Sequence, residues 1–318
     1  MEKLHNLINS KKIVGILLVF ILLQGCKTEK KNSIKEIKKE DVIEITTNVM
    51  DFQSVDTISS GWTTFKYINN SNEPHFFLLE KYPANKSIDD GRIEVFPVFQ
   101  NGMDLINEGK LEEALKEFGN LPEWYSEIIF SGGSGLVSPK ESAITTLKMQ
   151  PGYYVMECYV KMDNGKFHSV MGMSKSIVVT NTKSGNSEPS ENFSISISSS
   201  NGITYDETKL PLKGARSFSV NFVDQIVHEN FVGHDINLVK YEDGIDLRVL
   251  EKWMNWADSK GLISPAPEGI TFLGGVNDMP AGSIGYFQVN LEPGNYALIS
   301  EVPNTISKNM LKTFKITE

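Results

Sequence analysis

The chain has 318 residues, 40% of them hydrophobic and 22% charged, with a formal net charge of −9 and only 2 cysteines. Its apolar content and mean hydropathy of −0.21 exclude a disordered chain and a polytopic membrane protein. Two cysteines, Cys26 and Cys158, exclude a disulfide scaffold, and the length fits about two domains at roughly 150 residues each.

Near the N-terminus, Lys3, Lys11 and Lys12 precede an apolar run from Ile13 to Leu23. That run is too short to span a bilayer and suits the apolar region of a signal peptide. It ends Leu23-Gln24-Gly25-Cys26, which resembles a bacterial lipobox. The resemblance implies that residues 1–25 are cleaved off and that Cys26 is acylated. A membrane contact through that N-terminal lipid then places the protein in a bacterial cell envelope. Several acyl chains, at about 0.8 kcal/mol per buried methylene, suffice for stable anchoring. The mature chain keeps 28 basic against 39 acidic residues. Residues 26–41 read as a charged tether, with six lysines against four acids. The remainder is so acidic that nucleic-acid binding is not expected.

From Val42 onward the texture is short runs rich in Val, Ile, Thr, Tyr and Phe, bounded by Gly, Asn, Pro or Ser, as in strands. In the first half these are Val42–Val49, Thr64–Ile68, Phe76–Glu80, Ile144–Met149, Tyr153–Val160 and Ser176–Thr180. The polar stretch Asn181–Asn192 reads as a linker, taken as residues 182–192. Strand texture resumes at Phe193–Ser198, Ser217–Phe222, Ile236–Lys240, Gly285–Leu291, Tyr296–Val302 and Thr313–Thr317. Each half also predicts one helix. Leu111, Ala114, Leu115 and Phe118 form an apolar stripe within Gly102–Phe118, and Leu247, Leu250, Trp253 and Ala257 form one within Asp246–Ser259.

The halves repeat one another. Ile128-Ile129-Phe130-Ser131-Gly132-Gly133 aligns with Ile270-Thr271-Phe272-Leu273-Gly274-Gly275, and the same offset carries Pro151-Gly152-Tyr153-Tyr154 onto Pro293-Gly294-Asn295-Tyr296. Upstream, His75 to Tyr82 aligns with His234 to Tyr241. A repeat this long implies a duplicated domain, 42–181 and 193–318. The Gly-Gly pairs read as turns, and Ser131 to Gly135 lacks the lysine of a phosphate-binding loop.

The first half holds His75, Cys158, His168 and Met173. Singly, each has an ordinary reading as a buried thiol, a core or surface histidine, or a core methionine. Together they are two imidazoles, a thiolate and a thioether, the ligand set of a blue-copper electron-transfer site. The surrounding segments, Asn69-Asn70-Ser71-Asn72-Glu73-Pro74-His75, Pro151 to Cys158 and Cys158 to Met173, resemble those of the cupredoxins, the plastocyanin-like family. This resemblance implies an all-β fold of two tandem Greek-key cupredoxin-like sandwiches, each with a helical insertion. It also implies one type 1 copper ion in the first, held by His75, Cys158, His168 and, axially, Met173. Nine residues separate Cys158 from His168, against two to four in small cupredoxins, and Met171 stands two residues before Met173.

The second half places Ser300 where Cys158 stands and Thr305 where His168 stands, retaining His234 and Met310. A hydroxyl cannot replace a thiolate, so no metal is expected there. His228-Glu229-Asn230-Phe231-Val232 lacks the second histidine of a zinc-protease helix. Four histidines after Cys26 are too few for the further copper centres of an oxidase. The expectation is therefore an electron-transfer lipoprotein rather than a catalyst, exchanging electrons with a redox protein through an exposed edge of His168. The alternative is a metal-free binding or structural lipoprotein. Scattered single methionines argue against copper storage.

Overall fold

The computed structural model describes residues 42–318; the expected signal peptide, Cys26 and the tether lie outside the described residues. In the first half the chain forms β1 (Val42–Thr47), β2 (Thr57–Asn69), β3 (Leu78–Lys81), β4 (Ile129–Gly133), β5 (Ser142–Met149), β6 (Gly152–Glu157) and β7 (Ser174–Lys183). In the second it forms β8 (Phe193–Ser198), β9 (Gly202–Thr204), β10 (Gly214–Phe222), β11 (Ile236–Tyr241), β12 (Ile270–Val276), β13 (Ile284–Leu291), β14 (Gly294–Ile299) and β15 (Leu311–Ile316). The period of two decides burial: on β5, Ala143, Leu147 and Met149 face the core while Ser142 and Lys148 are exposed. No helix among the described residues is long and apolar enough to cross a membrane.

The two halves have the same strand order. In the first, one sheet runs β4-β3-β6-β7 and ends on the start of β2. At Ser60–Gly61 strand β2 crosses to the facing sheet, where Gly61–Ile68 pair with β5 and β1 lies parallel on the other side. In the second, β12-β11-β14-β15 form one sheet and β9-β8-β10-β13 the other, with β8 again parallel to β10. Even the register is repeated, with Leu78 opposite Glu157 and Asn237 opposite Ile299. The chain is an all-β protein of two sandwiches with one strand order. They are not separate beads, because β5 pairs antiparallel with β13 through Thr145–Phe287 and Thr146–Tyr286 and merges the facing sheets into one.

The Pro-Gly-x-Tyr motif acquires a physical reason. Tyr154 Oη donates to the Gln150 carbonyl and Tyr296 Oη to the Glu292 carbonyl, each at 2.8 Å. Each tyrosine thus ties its strand back over the turn that precedes it and satisfies a buried hydroxyl.

Two expectations need correction. The Gly-Gly pairs are not turns but the ends of strands β4 and β12, at irregularities in their pairing with β3 and β11. Glycine is required there by close approach: a Cβ on Gly133 would lie 1.8 Å from the Phe77 carbonyl oxygen, and one on Gly275 1.9 Å from that of Ile236. The first-half insertion is also more than one helix. Helices Phe96–Asn107 and Leu111–Phe118 pack as a pair, parted at Gly109. Phe118 packs where Gly102 leaves room, while Leu111 and Leu115 are 61% and 62% exposed, so the expected stripe is only half a packing face. In the second half the helix is Leu247–Met254, capped by the Asp246 carboxylate on the Arg248 N–H, and Ala257 lies beyond its end.

Where the halves meet, Glu80, Glu157, Asp235 and Glu301 are buried and Asp278 is half-buried. Burial raises the pKa of all five, Asp278 to about 8, with Glu80 raised further by Glu157. Each such acid binds its proton more tightly folded than unfolded, so its stabilising effect is lost as pH climbs toward the folded value. Buried histidines act in the opposite sense, but an unfolded histidine titrates near pH 6.5 and contributes little above pH 7. The metal-free protein should therefore lose stability from pH 7 to pH 8.5, by about 1.4 kcal/mol per pH unit for each acid still protonated when folded. Urea midpoints across that range check this, and a flat or rising profile would contradict it.

Candidate metal centre

His75 stands just ahead of β3, in a two-way backbone pairing with Val137 at 3.1 and 2.7 Å. The loop before it is fastened by buried Asn69. Its Nδ2 donates to the carbonyls of Glu73 and Val137 at 2.8 and 2.9 Å, and its Oδ1 accepts from the Ser71 N–H and hydroxyl. Sequence reasoning included Asn69 only as part of a motif; the side-chain amide is what holds the turn.

Cys158 follows the end of β6. Its N–H donates to the Met173 carbonyl at 3.4 Å, the Met173 N–H to the His168 carbonyl at 2.9 Å, and the His168 N–H to the Val160 carbonyl at 2.8 Å. The long Cys158–His168 spacing is absorbed by a small hairpin. Lys161 pairs with Phe167, and Met162 to Lys166 closes around Gly165. The hairpin delivers His168 back beside Cys158.

These elements bring His75, Cys158 and His168 together, all fully buried. Cys158 Sγ lies 3.7 Å from His75 Nδ1 and 3.7 Å from His168 Nδ1, and the two Nδ1 atoms are 3.1 Å apart. The point equidistant from the corners of that triangle is about 2.0 Å from each, the length of a metal–imidazole bond. The donors therefore fit a bound metal ion. Among the described residues this is the only group of three such donors near enough to hold one. Met173 is fully buried and its backbone is tied to both His168 and Cys158. Met171 is 49% exposed.

Burial lowers the His75 pKa to about 4 and that of His168 to about 3, with His75 adding to the second shift. It pushes the Cys158 thiol up to about 12. At neutral pH both imidazoles are uncharged and ready to ligate, while the thiol keeps its proton until an ion displaces it. His168 Nε2 lies 3.2 Å from Glu73 Oε2 without the alignment of a hydrogen bond.

The expected exposed edge of His168 is absent. Phe167 packs edge-on against Trp256 at 5.7 Å, and the Lys161 backbone pairs with Leu262 and Ser264. The ligand loop is thus pressed under the second half.

The second half keeps the frame without the donors. Ser300 N–H donates to the Met310 carbonyl at 3.1 Å and Met310 N–H to the Thr305 carbonyl at 2.8 Å, the same two bonds as at Cys158, His168 and Met173. The Ser300 hydroxyl turns to Asp235 at 2.7 Å and that of Thr305 to backbone carbonyls, while His234 Nδ1 meets the Asp224 carbonyl at 3.2 Å.

No protein-family model matches the chain, and no curated protein does. Among solved structures, the chain is similar to reduced auracyanin from Roseiflexus castenholzii, at 18% identity and a TM-score of 0.25, covering 44% of this chain and 97% of that one. Rusticyanin from Thiobacillus ferrooxidans is 14% identical over 39% and 75% of the two chains, with a TM-score of 0.24. Copper nitrite reductase from Nitrosomonas europaea is 11% identical over 87% and 93%, with a TM-score of 0.22. Overlaps this loose carry no argument. The site stands on its own geometry.

Replacing Asn69 by Ala should loosen the His75 turn and weaken metal affinity by about 10- to 100-fold while the fold persists. Chelator competition measures the affinity and circular dichroism the fold; an unchanged affinity would show that the amide does not position His75.

Proposed function

We propose that this chain is a lipid-anchored one-electron copper carrier of a bacterial envelope. The observation that carries the reading is the buried triangle of His75 Nδ1, Cys158 Sγ and His168 Nδ1. Two imidazoles and a thiolate, with Met173 as a distant weak ligand, suit both copper oxidation states. A copper ion held there supplies a one-electron couple. The chain's own part is to hold the donors rigidly and exclude water, so that little rearrangement accompanies electron exchange.

With both histidines buried, the part-exposed Glu73 carboxylate stands 3.2 Å from His168 Nε2. Electron exchange with a redox protein is proposed at that face, and the acidic body favours a partner with a basic surface. The Cys26 lipobox motif supports the anchor. The metal-free alternative keeps the same fold with His75, Cys158 and His168 as unused core residues.

Adding one equivalent of Cu(II) to the full chain should produce an intense visible thiolate-to-copper band that Cys158→Ser abolishes. If wild type and variant bind copper alike and colourlessly, the carrier reading is wrong. In bacteria fed a labelled fatty acid, the wild type should take up label and Cys26→Ser should not. Equal labelling would remove the anchor.

A further inference from the structure

Between the halves lies a pocket that is partly open to solvent. One wall is aromatic: Phe99 touches the rings of Tyr125, Phe231 and Trp256 with centroids 5.7 to 5.9 Å apart. The Trp256 indole is fixed by its Nε1–H donating to the Asn230 carbonyl at 2.7 Å. The other wall carries Glu80, Glu157, Asp235, Asp278 and Glu301, and none of the lining residues is a lysine, arginine or histidine.

A set of acids is not a site by itself, but two buried polar atoms here lack any partner. They are Glu301 Oε1 and Asn230 Oδ1, both hydrogen-bond acceptors on residues that line the pocket. Their neighbours are already committed. Glu301 Oε2 accepts from Tyr159 Oη at 3.0 Å, and Asn230 Nδ2 donates to Asn255. Asp278 accepts from Gln225 and the Gly233 N–H, and Asp235 from Ser300 and the Glu301 N–H. Buried acceptors left open call for a donor. A lining with five acids and no basic residue favours a cation, even with Lys161 acting on Glu301 from outside it, and aromatic faces favour one with an apolar body.

We propose that this pocket binds a small organic cation, a protonated primary amine on a compact aromatic or similarly apolar body. Its ammonium donates to Glu301 Oε1 and Asn230 Oδ1, and its body lies against Phe231 and Trp256. Burial disfavours the charged form of these carboxyls, and a bound ammonium favours it in the one it meets. The inference is independent of copper, since none of these groups ligates the metal.

The test titrates the full chain with 2-phenylethylamine at pH 7.5, read by calorimetry and tryptophan fluorescence. The neutral 2-phenylethanol and Ca²⁺ alone serve as comparisons. The amine should bind saturably at one site, the alcohol at least 10-fold more weakly, and Ca²⁺ should not displace the amine. Glu301→Gln should weaken the amine at least 10-fold and leave the alcohol unchanged. Should that variant misfold, the ratio of amine to alcohol in the wild type still decides. Absent saturable binding, equal affinity for amine and alcohol, or displacement by Ca²⁺ each overturns the proposal.

Discussion

Two backbone hydrogen bonds, from Cys158 N–H to the Met173 carbonyl and from Met173 N–H to the His168 carbonyl, close the ligand loop on itself. Each contributes only about 1 kcal/mol net to stability. Their effect on geometry is larger, because they fix His168 beside Cys158 whatever the loop does between them. The same pair recurs at Ser300, Thr305 and Met310 around a shorter connection. The clasp therefore belongs to the fold, and the donors are side chains mounted on it. With Cys158 and His168 so mounted, and His75 set by the Asn69 turn, three ligating atoms converge without any strand having to bend toward them.

Duplication explains what the second half does for the first. Having lost its thiol and one imidazole, it covers the ligand loop of its twin. Lys161, fully buried, donates to the Trp256 and Asp258 carbonyls at 2.7 and 2.8 Å, and burial lowers its pKa to about 8. The equivalent positions Tyr159 and Glu301 meet at 3.0 Å across the junction. The shared β5–β13 pairing makes that junction part of a sheet rather than a hinge. Burial of the candidate centre, and hence the shifts of both histidines and the thiol, is a property of the assembled pair.

What could be read from the sequence was whatever rests on local chemistry or on the comparison of the halves. Pro-Gly-x-Tyr marks the same point of both halves, and β-branched runs announce strands. His75, Cys158, His168 and Met173 stand out because their residue types form one ligand set. What escaped depends on contacts distant in sequence. Gly133 and Gly275 look like turn glycines, yet the cause is the carbonyl of a neighbouring strand. Leu111 and Leu115 have helical spacing but find no partner surface. His168 on a long loop suggests exposure until Trp256, nearly ninety residues on, closes over Phe167. Glu301 and Asn230 form no motif, and only the junction of the halves makes them neighbours in one pocket.

Electron carriage by this chain requires that Cys158 and the two histidines bind one metal ion together. X-ray absorption at the copper edge, on the full chain loaded with one equivalent, tests this most directly. The expected spectrum has one sulfur scatterer within about 2.3 Å and two nitrogens at about 2.0 Å. A first shell of nitrogen and oxygen alone, with no sulfur, would contradict it.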